Sequence, residues 1–374
     1  MSRQPGLDTL RAIAIVWVML FHSYLLGGLG DGFGLLETSG WMGVDLFFVL
    51  SGYLIGRQVL ASIAANGTVD LAEFYRRRAF RILPAFAVVL VLYLCWPAWR
   101  ETPLMQPWWQ FPTFTFNLLF DAPERSAFSH VWSLCVEEHF YLVFPFLALA
   151  LARRPSLLRG LAVLGLVVVG GVILRAWLWQ TQVAHADPEG PSYLRYLYYP
   201  TYARLDGLVA GVSLAACAVY RPAWMAGLHA RQGRLLTLAG VLLILSLAVF
   251  TGRRTAFWSC VLGYPLLATA MAAFVAACSA TRGPVAVRLP GVGWLARASY
   301  SLYLSHKGAF ALTAAALGDH LAAHRFLRFA VFAATTLACG ALLHYTVERP
   351  CLRWRDRHAR GSATLPGPKV IADV

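Results

Sequence analysis

The sequence predicts an all-α, polytopic membrane protein: a bundle of about ten transmembrane helices with N-terminus and C-terminus cytoplasmic. Three observations lead there. Of 374 residues, 59% are hydrophobic and only 13% charged, about half the charged fraction of a soluble domain. The apolar residues collect into runs near the ~20 needed to cross roughly 30 Å of hydrocarbon. The basic residues gather in alternate connections, as the positive-inside rule requires. A cytosolic enzyme, a disordered chain, a collagen-like chain and a small disulfide scaffold are excluded by the same composition. The formal charge of +14 would suggest a polyanion partner in a soluble chain, but loop basicity accounts for it in a membrane protein.

The ten runs lie at 8–28, 41–62, 81–98, 132–152, 157–179, 201–219, 234–251, 258–279, 297–317 and 324–345. With the N-terminus inside, 21 of the 32 basic residues, among them Arg3, Arg11, Arg76, Arg77, Arg78, Arg81, Arg282 and Arg288, fall on the cytoplasmic side, against seven in outer loops. That bias sets the expected orientation. The aromatic stretch 108–120 is too short to cross and reads as interfacial or re-entrant. The first run lacks an A-x-A-like cleavage site and carries Asp8, Arg11 and His22, so it is expected to remain in the mature chain. Residues 1–353 are expected to form one membrane domain and 354–374 a disordered cytoplasmic tail. Seven cysteines, with no C-x-x-C pair, point to neither a disulfide nor a metal site.

Ionisable side chains at bilayer depth cost at least about 2.5–3.5 kcal/mol on insertion scales, so they mark functional candidates. The inventory is Arg11 and His22 on the first run, Asp45 on the second, Glu137, Glu138 and His139 on the fourth, Arg204 and Asp206 on the sixth, and His306 and Lys307 on the ninth. Arg11 and His22 fall within about 20° of one face, ~16 Å apart along the axis. The second and fourth runs enter from the opposite side, which puts Asp45 and Glu137 at a depth comparable to His22. An imidazole with a carboxylate on one ring nitrogen is how a general base for a hydroxyl nucleophile is built. A lone buried His would more simply bond a neighbouring helix; three such groups at one depth favour chemistry. Arg78 and Arg81, three apart, can grip one polyanion, although orientation alone would also explain the cluster. Arg204 and Asp206, two apart, should serve different partners. Lys307 is expected either to pair with Asp206 or Glu138 or, equally, to contact substrate, and Trp132, Tyr141, Tyr198, Tyr199 and Tyr202 to act as interface anchors more often than as sugar platforms.

These residues stand in strings that resemble the acyltransferase-3 family of integral membrane O-acyltransferases. The string from Gly6 through Arg11 to His22 has the family's basic residue and His separated by ten residues. Gly43 to Ile55 resembles its second-span motif, Arg78 and Arg81 its R-x-x-R, and His130 to Leu142 its fourth-span motif. Arg204 to Gly211, Ser299 to His306 and Glu348-Arg-Pro complete the order. His139 stands where the family often has Gln, Ser305 where it often has Trp, and Lys307 where it usually has an apolar residue. No hydrolase-like domain of the kind some members carry follows the last run, so a stand-alone membrane unit is expected.

The resemblance implies an acyl-CoA-dependent transferase of the bacterial inner membrane that passes an acyl group, expected to be acetyl, from cytoplasmic acyl-CoA through the bundle to a carbohydrate hydroxyl. The acceptor would be a surface polysaccharide, its lipid-linked precursor or another glycosylated metabolite. It assigns catalysis to His22, Asp45 and Glu137, donor binding to Arg11, Arg78 and Arg81, and substrate contacts to Trp132, Glu138, Arg204, Asp206 and His306. Acetyl-CoA would be a donor substrate rather than a resident cofactor, and no metal or nucleic acid is called for. An acyl-histidine intermediate stays open as a variant. Two rivals use similar residues: a proton-coupled secondary transporter, which usually shows repeated halves not found here, and a lipid-linked-sugar glycosyltransferase, which usually carries large soluble parts.

Overall fold

The computed structural model describes residues 4–26, 33–121, 123–281, 283, 285, 289–318 and 320–361. Arg3, Arg282, Arg288 and the tail beyond Gly361 lie outside the described residues. The described chain is helical apart from turns and one bridge, between Met105 and Ser126. The principal helices are α1 (Pro5–Leu25), α2 (Met42–Asn66), α3 (Leu71–Cys95), α4 (Trp132–Ala152), α5 (Leu157–Leu178), α6 (Asp206–Tyr220), α7 (Pro222–Ala230), α8 (Gln232–Thr251), α9 (Tyr264–Cys278), α10 (Val292–Leu317), α11 (Arg325–Leu343) and α12 (Arg349–Gly361).

Local chemistry sets the ends. Pro5 occupies the first turn of α1, where a missing N–H costs nothing. Gly67 closes α2 with φ +72°, and the Asp70 carboxylate accepts the Glu73 N–H at 2.9 Å to cap α3.

Each of the ten apolar runs becomes a helix. Among the described residues, eight helices are long and apolar enough to cross a membrane, or nine if α6 and α7, bent by 109° at Arg221, count as one broken span. By itself α6 reaches only about 22 Å. The 26-residue α10 is long enough but more polar: Ser299, Ser301, Ser305, His306 and Lys307 are all buried along it. A polar helix of that length is stable in a bilayer only inside a bundle. The surrounding apolar helices make the chain a multi-pass membrane protein.

Two close approaches position the core. A Cβ on Gly211 of α6 would come within 2.2 Å of the Val49 carbonyl oxygen, and one on Gly52 of α2 within 2.2 Å of the Leu208 carbonyl oxygen. Small residues therefore bring these backbones into contact, the usual device where lipid removes the hydrophobic drive between helices. Helices α1 and α10 pack beside this pair, whereas α5 has an apolar window with none of its residues buried and faces outward.

The segment 96–131 folds back on the bundle. Trp108 and Trp109 are exposed, while Phe111, Phe116 and Phe128 are fully buried. Trp99 lies against Gly308 of α10 so closely that a Cβ there would meet its ring at 2.0 Å. At the far end, a π turn at His344–Glu348 joins α11 to α12 without a break. This corrects the expected disordered tail for residues 354–361, because the Trp354 ring packs 5.1 Å from Phe80 and holds α12 against α3.

Candidate active site

Three histidines from three parts of the chain meet inside the bundle. His22 comes from α1, His306 from α10, and His130 from the 3-10 turn Ser129–Val131 that opens α4. The ring centroids of His22 and His306 are 4.8 Å apart, and those of His306 and His130 4.9 Å. His306 is fully buried; His22 is half-buried against Phe21.

Backbone carbonyls set the proton positions. His306 Nδ1 lies 2.7 Å from the Tyr303 carbonyl oxygen and 3.2 Å from that of Leu302. A carbonyl only accepts, so Nδ1 carries the hydrogen and Nε2 of the neutral ring presents its lone pair. That Nε2 is 2.8 Å from His22 Nδ1, which must therefore donate. His22 is left with its lone pair on Nε2, the tautomer of a base whose other nitrogen is held by an acceptor. By the same logic His130 Nε2 donates to the Leu304 carbonyl at 3.2 Å, and its Nδ1 has no partner among the described residues.

The surroundings hold this cluster rigidly. Tyr303 Oη donates to the His130 carbonyl at 2.9 Å and lies 2.5 Å from Ser133 Oγ. Lys307 does not pair with Asp206 or Glu138 as the spacing suggested. Its Nζ is 2.6 Å from Glu101 Oε1 and 2.9 Å from Ser129 Oγ, because segment 96–131 returns over α10 and carries Glu101 with it. The neighbouring charge is thereby neutralised within one residue of His306.

The carboxylates expected beside the imidazole lie elsewhere. Asp45 Oδ1 accepts from Arg204 Nη2 at 2.8 Å, and the guanidinium carbon sits 4.1, 4.8 and 5.2 Å from the ring centres of Tyr264, Tyr198 and Trp132. Asp206 is bound by Arg175 at 2.8 and 3.1 Å. Arg204 and Asp206 do take different partners, but Arg204 stands just before α6 rather than on it, and both are locked into buried ion pairs rather than turned to a ligand. Trp132, Tyr141, Tyr198 and Tyr199 are buried, so they are not interface anchors; Tyr202 is exposed. Glu137 accepts from Ser51 Oγ at 3.0 Å and from the Tyr141 hydroxyl. Glu138 and Glu137 both lie in the field of Arg78, and Glu137 also in that of Arg11. His139 Nδ1 is 2.7 Å from Thr201 Oγ1.

The arginines divide by task. Arg76 and Arg77 share the one carboxylate of Glu73, at 2.6 and 2.5 Å. Arg81 pairs with Glu348, whose other oxygen accepts from Ser301 Oγ at 2.6 Å and lies 2.9 Å from His344 Nδ1. Arg78 stands over the Tyr141 ring at 5.7 Å with its Nε unpartnered among the described residues. Arg11, Arg78 and Arg81 lie in one another's field, with Glu348 paired to Arg81 and Glu137 and Glu138 near Arg78, so the rim mixes both charges. A group of this kind can hold a phosphate ester, and the imidazole ~16 Å along α1 can move a proton.

Sequence reasoning left His130, Glu101, Glu348 and Arg175 without a role. Arg175 carried a usable signal, a charge far inside a 22-residue apolar helix whose other charge, Arg159, lies in its first turn. Glu101 carried none, since its partner lies 206 positions away in the chain.

The chain matches the family model described as "Acyltransferase domain" over residues 4–345. It is 29% identical over 266 residues to the peptidoglycan O-acetyltransferase OatA of Listeria monocytogenes, covering 66% of this chain and 39% of that protein. It is 29% identical over 233 residues to the O-acetyltransferase OatA of Staphylococcus aureus strain COL, covering 56% of this chain and 34% of that one. The matches thus span a little over a third of the relatives' own lengths. No solved structure matches. With most of its length accounted for by one model, the chain belongs to the acyltransferase domain family, here in the acyltransferase-3 form.

Proposed function

We propose that this chain transfers an acyl group, in the first instance acetyl, from acyl-CoA to a hydroxyl of a carbohydrate acceptor, with His22 as general base. One observation carries the reading: the hydrogen bond from His22 Nδ1 to His306 Nε2, whose direction is dictated by the Tyr303 and Leu302 carbonyls. The relatives' names, two O-acetyltransferases of which one acts on peptidoglycan, support the reaction type and a carbohydrate acceptor.

The steps follow from the tautomer. His22 Nε2 takes the acceptor hydroxyl's proton as its oxygen attacks the thioester carbon, and the imidazolium is stabilised through Nδ1–H by His306. Collapse breaks the carbon–sulfur bond, and the proton on His22 passes to the departing thiolate. Transfer is therefore balanced without a further reagent. Arg11, Arg78 and Arg81 would hold the donor's phosphates at the cytoplasmic rim, a side chosen from the distribution of basic loops. The slim pantetheine arm would cover the ~16 Å to His22.

Detergent-solubilised protein, with both faces open, given radiolabelled acetyl-CoA and extracted glycan should put label on the glycan. Folded protein that leaves the glycan unlabelled with every acyl-CoA tried would overturn the reading. His306→Ala removes the acceptor for His22 Nδ1 without touching the base, so kcat should fall by about 10–100-fold with little change in donor KM, as expected for a positioning residue. Arg78→Gln should act the other way, raising the apparent KM for acetyl-CoA roughly tenfold and sparing kcat. An unchanged donor KM would mark Arg78 as an orientation residue only.

A further inference from the structure

Lys307 stands where the family usually has an apolar residue, and the transfer steps give its cation no task. The ammonium of Lys307 and the carboxylate of Glu101 meet at 2.6 Å, with side chains only 8% and 2% exposed. Both are also held from elsewhere. Glu101 Oε1 accepts the Phe128 N–H at 3.0 Å, and Lys307 Nζ donates to Ser129 Oγ at 2.9 Å. Arg100 donates to the Tyr93 and Leu94 carbonyls at 2.6 and 2.9 Å, which ties the residue before Glu101 to the end of α3. The pair is therefore a fixed part of the bundle.

Its place bears on the imidazoles. Ser129, which holds the ammonium, is the residue before His130, and the His130 ring lies 4.9 Å from His306 and 6.3 Å from His22. His306 precedes Lys307 on α10 and accepts from His22. Lys307 is thus joined to His22 by two short chains of contacts, and His22 lies in its field. The other charges around this end of α1 are committed or screened. Asp45 of α2 is closed on Arg204, Glu37 accepts the Phe33 N–H at 3.1 Å, and Arg254, 5.6 Å from the Phe21 ring, is exposed to water. The neighbouring rings of His306, His130, Tyr303 and Tyr93 bring no net charge. A cation in a low-dielectric interior opposes the formation of a second one nearby, and a carboxylate in contact with it cancels most of that field. Proton transfer to His22 creates such a second cation.

We propose that Glu101 is a positioning residue of the transfer reaction: by closing the Lys307 charge, it lets His22 become an imidazolium as the acceptor hydroxyl is deprotonated. Glu101 itself exchanges no proton and touches no substrate. The inference deepens the reading of His22 as the base and rests on it.

The test follows the pH dependence of acyl transfer by the purified full chain in detergent, with labelled acetyl-CoA and glycan. Glu101→Gln keeps an acceptor for the Phe128 N–H but leaves Lys307 uncompensated. The acid limb of kcat/KM should then move about one unit to lower pH and kcat fall about tenfold, with both KM values little changed. Lys307→Gln removes the cation, keeps the carboxylate and should move the limb the opposite way. The double variant is neutral again, so its limb should return and its kcat come within about threefold of wild type. A limb that stays in place in both single variants, or a double variant that loses at least as much as Glu101→Gln, would reduce the pair to a structural tie. The proposal is then refuted while transfer by the wild-type chain stands. Wild-type protein that leaves the glycan unlabelled, or transfer that survives His22→Ala, removes the base itself, and both readings fall.

Discussion

His22→Ala should abolish acyl transfer to the glycan while the protein still inserts and folds. A positioned general base contributes about 10²–10⁴ in rate, and His22 Nε2 is the nitrogen left with a free lone pair when the His306 and Tyr303 contacts are satisfied. The ring is partly exposed, and a thermal unfolding profile close to native, measured beside the activity, separates loss of the base from loss of the fold. Label on the glycan from purified His22→Ala protein at more than about a hundredth of the normal rate would dismiss the imidazole as the base. Adding free imidazole gives a second readout, because partial recovery is expected only when the missing group is the proton carrier.

The second large effect concerns stability. Asp45→Ala should strip Arg204 of its counter-charge while leaving it buried among Tyr264, Tyr198 and Trp132. Breaking a buried pair in this way costs about 3–5 kcal/mol, a large part of the roughly 5–15 kcal/mol that holds a domain together. The single variant should accumulate poorly and unfold early in detergent. Replacing both partners, Asp45→Leu with Arg204→Met, removes the unpaired charge and should restore folded protein together with much of the transfer activity. The two roles for Asp45 separate here: a carboxylate that served His22 would leave the double variant folded yet inactive.

The difference between these two predictions shows how far residue order could be read. The membrane class, the ten helical runs and His22 as a candidate were legible because insertion demands long apolar stretches and makes every charge within them costly. The three-residue spacing put Arg78 and Arg81 near one face, but their partners, the Tyr141 ring and Glu348, came only with packing. Depth along each helix followed from counting, and it put Asp45, Glu137 and His22 near one level. Counting supplies the axial coordinate alone. Which way each side chain turns, and which helix faces it, depends on packing such as the backbone contact at Gly52 and Gly211.

That missing rotation explains each revision. Asp45 turned to Arg204, Glu137 to Ser51 and Tyr141, and Lys307 to Glu101 from a segment that no periodicity marked as folding inward. His306, expected at the substrate, became the acceptor for His22. Linear chemistry thus settled where the chain meets lipid and which charges must hide, since hydration and hydrocarbon act on each segment separately. The choice of partner for every hidden charge fell to the assembled bundle, because a hydrogen bond needs two groups within about 3 Å and residues hundreds of positions apart reach that distance only after the helices have packed.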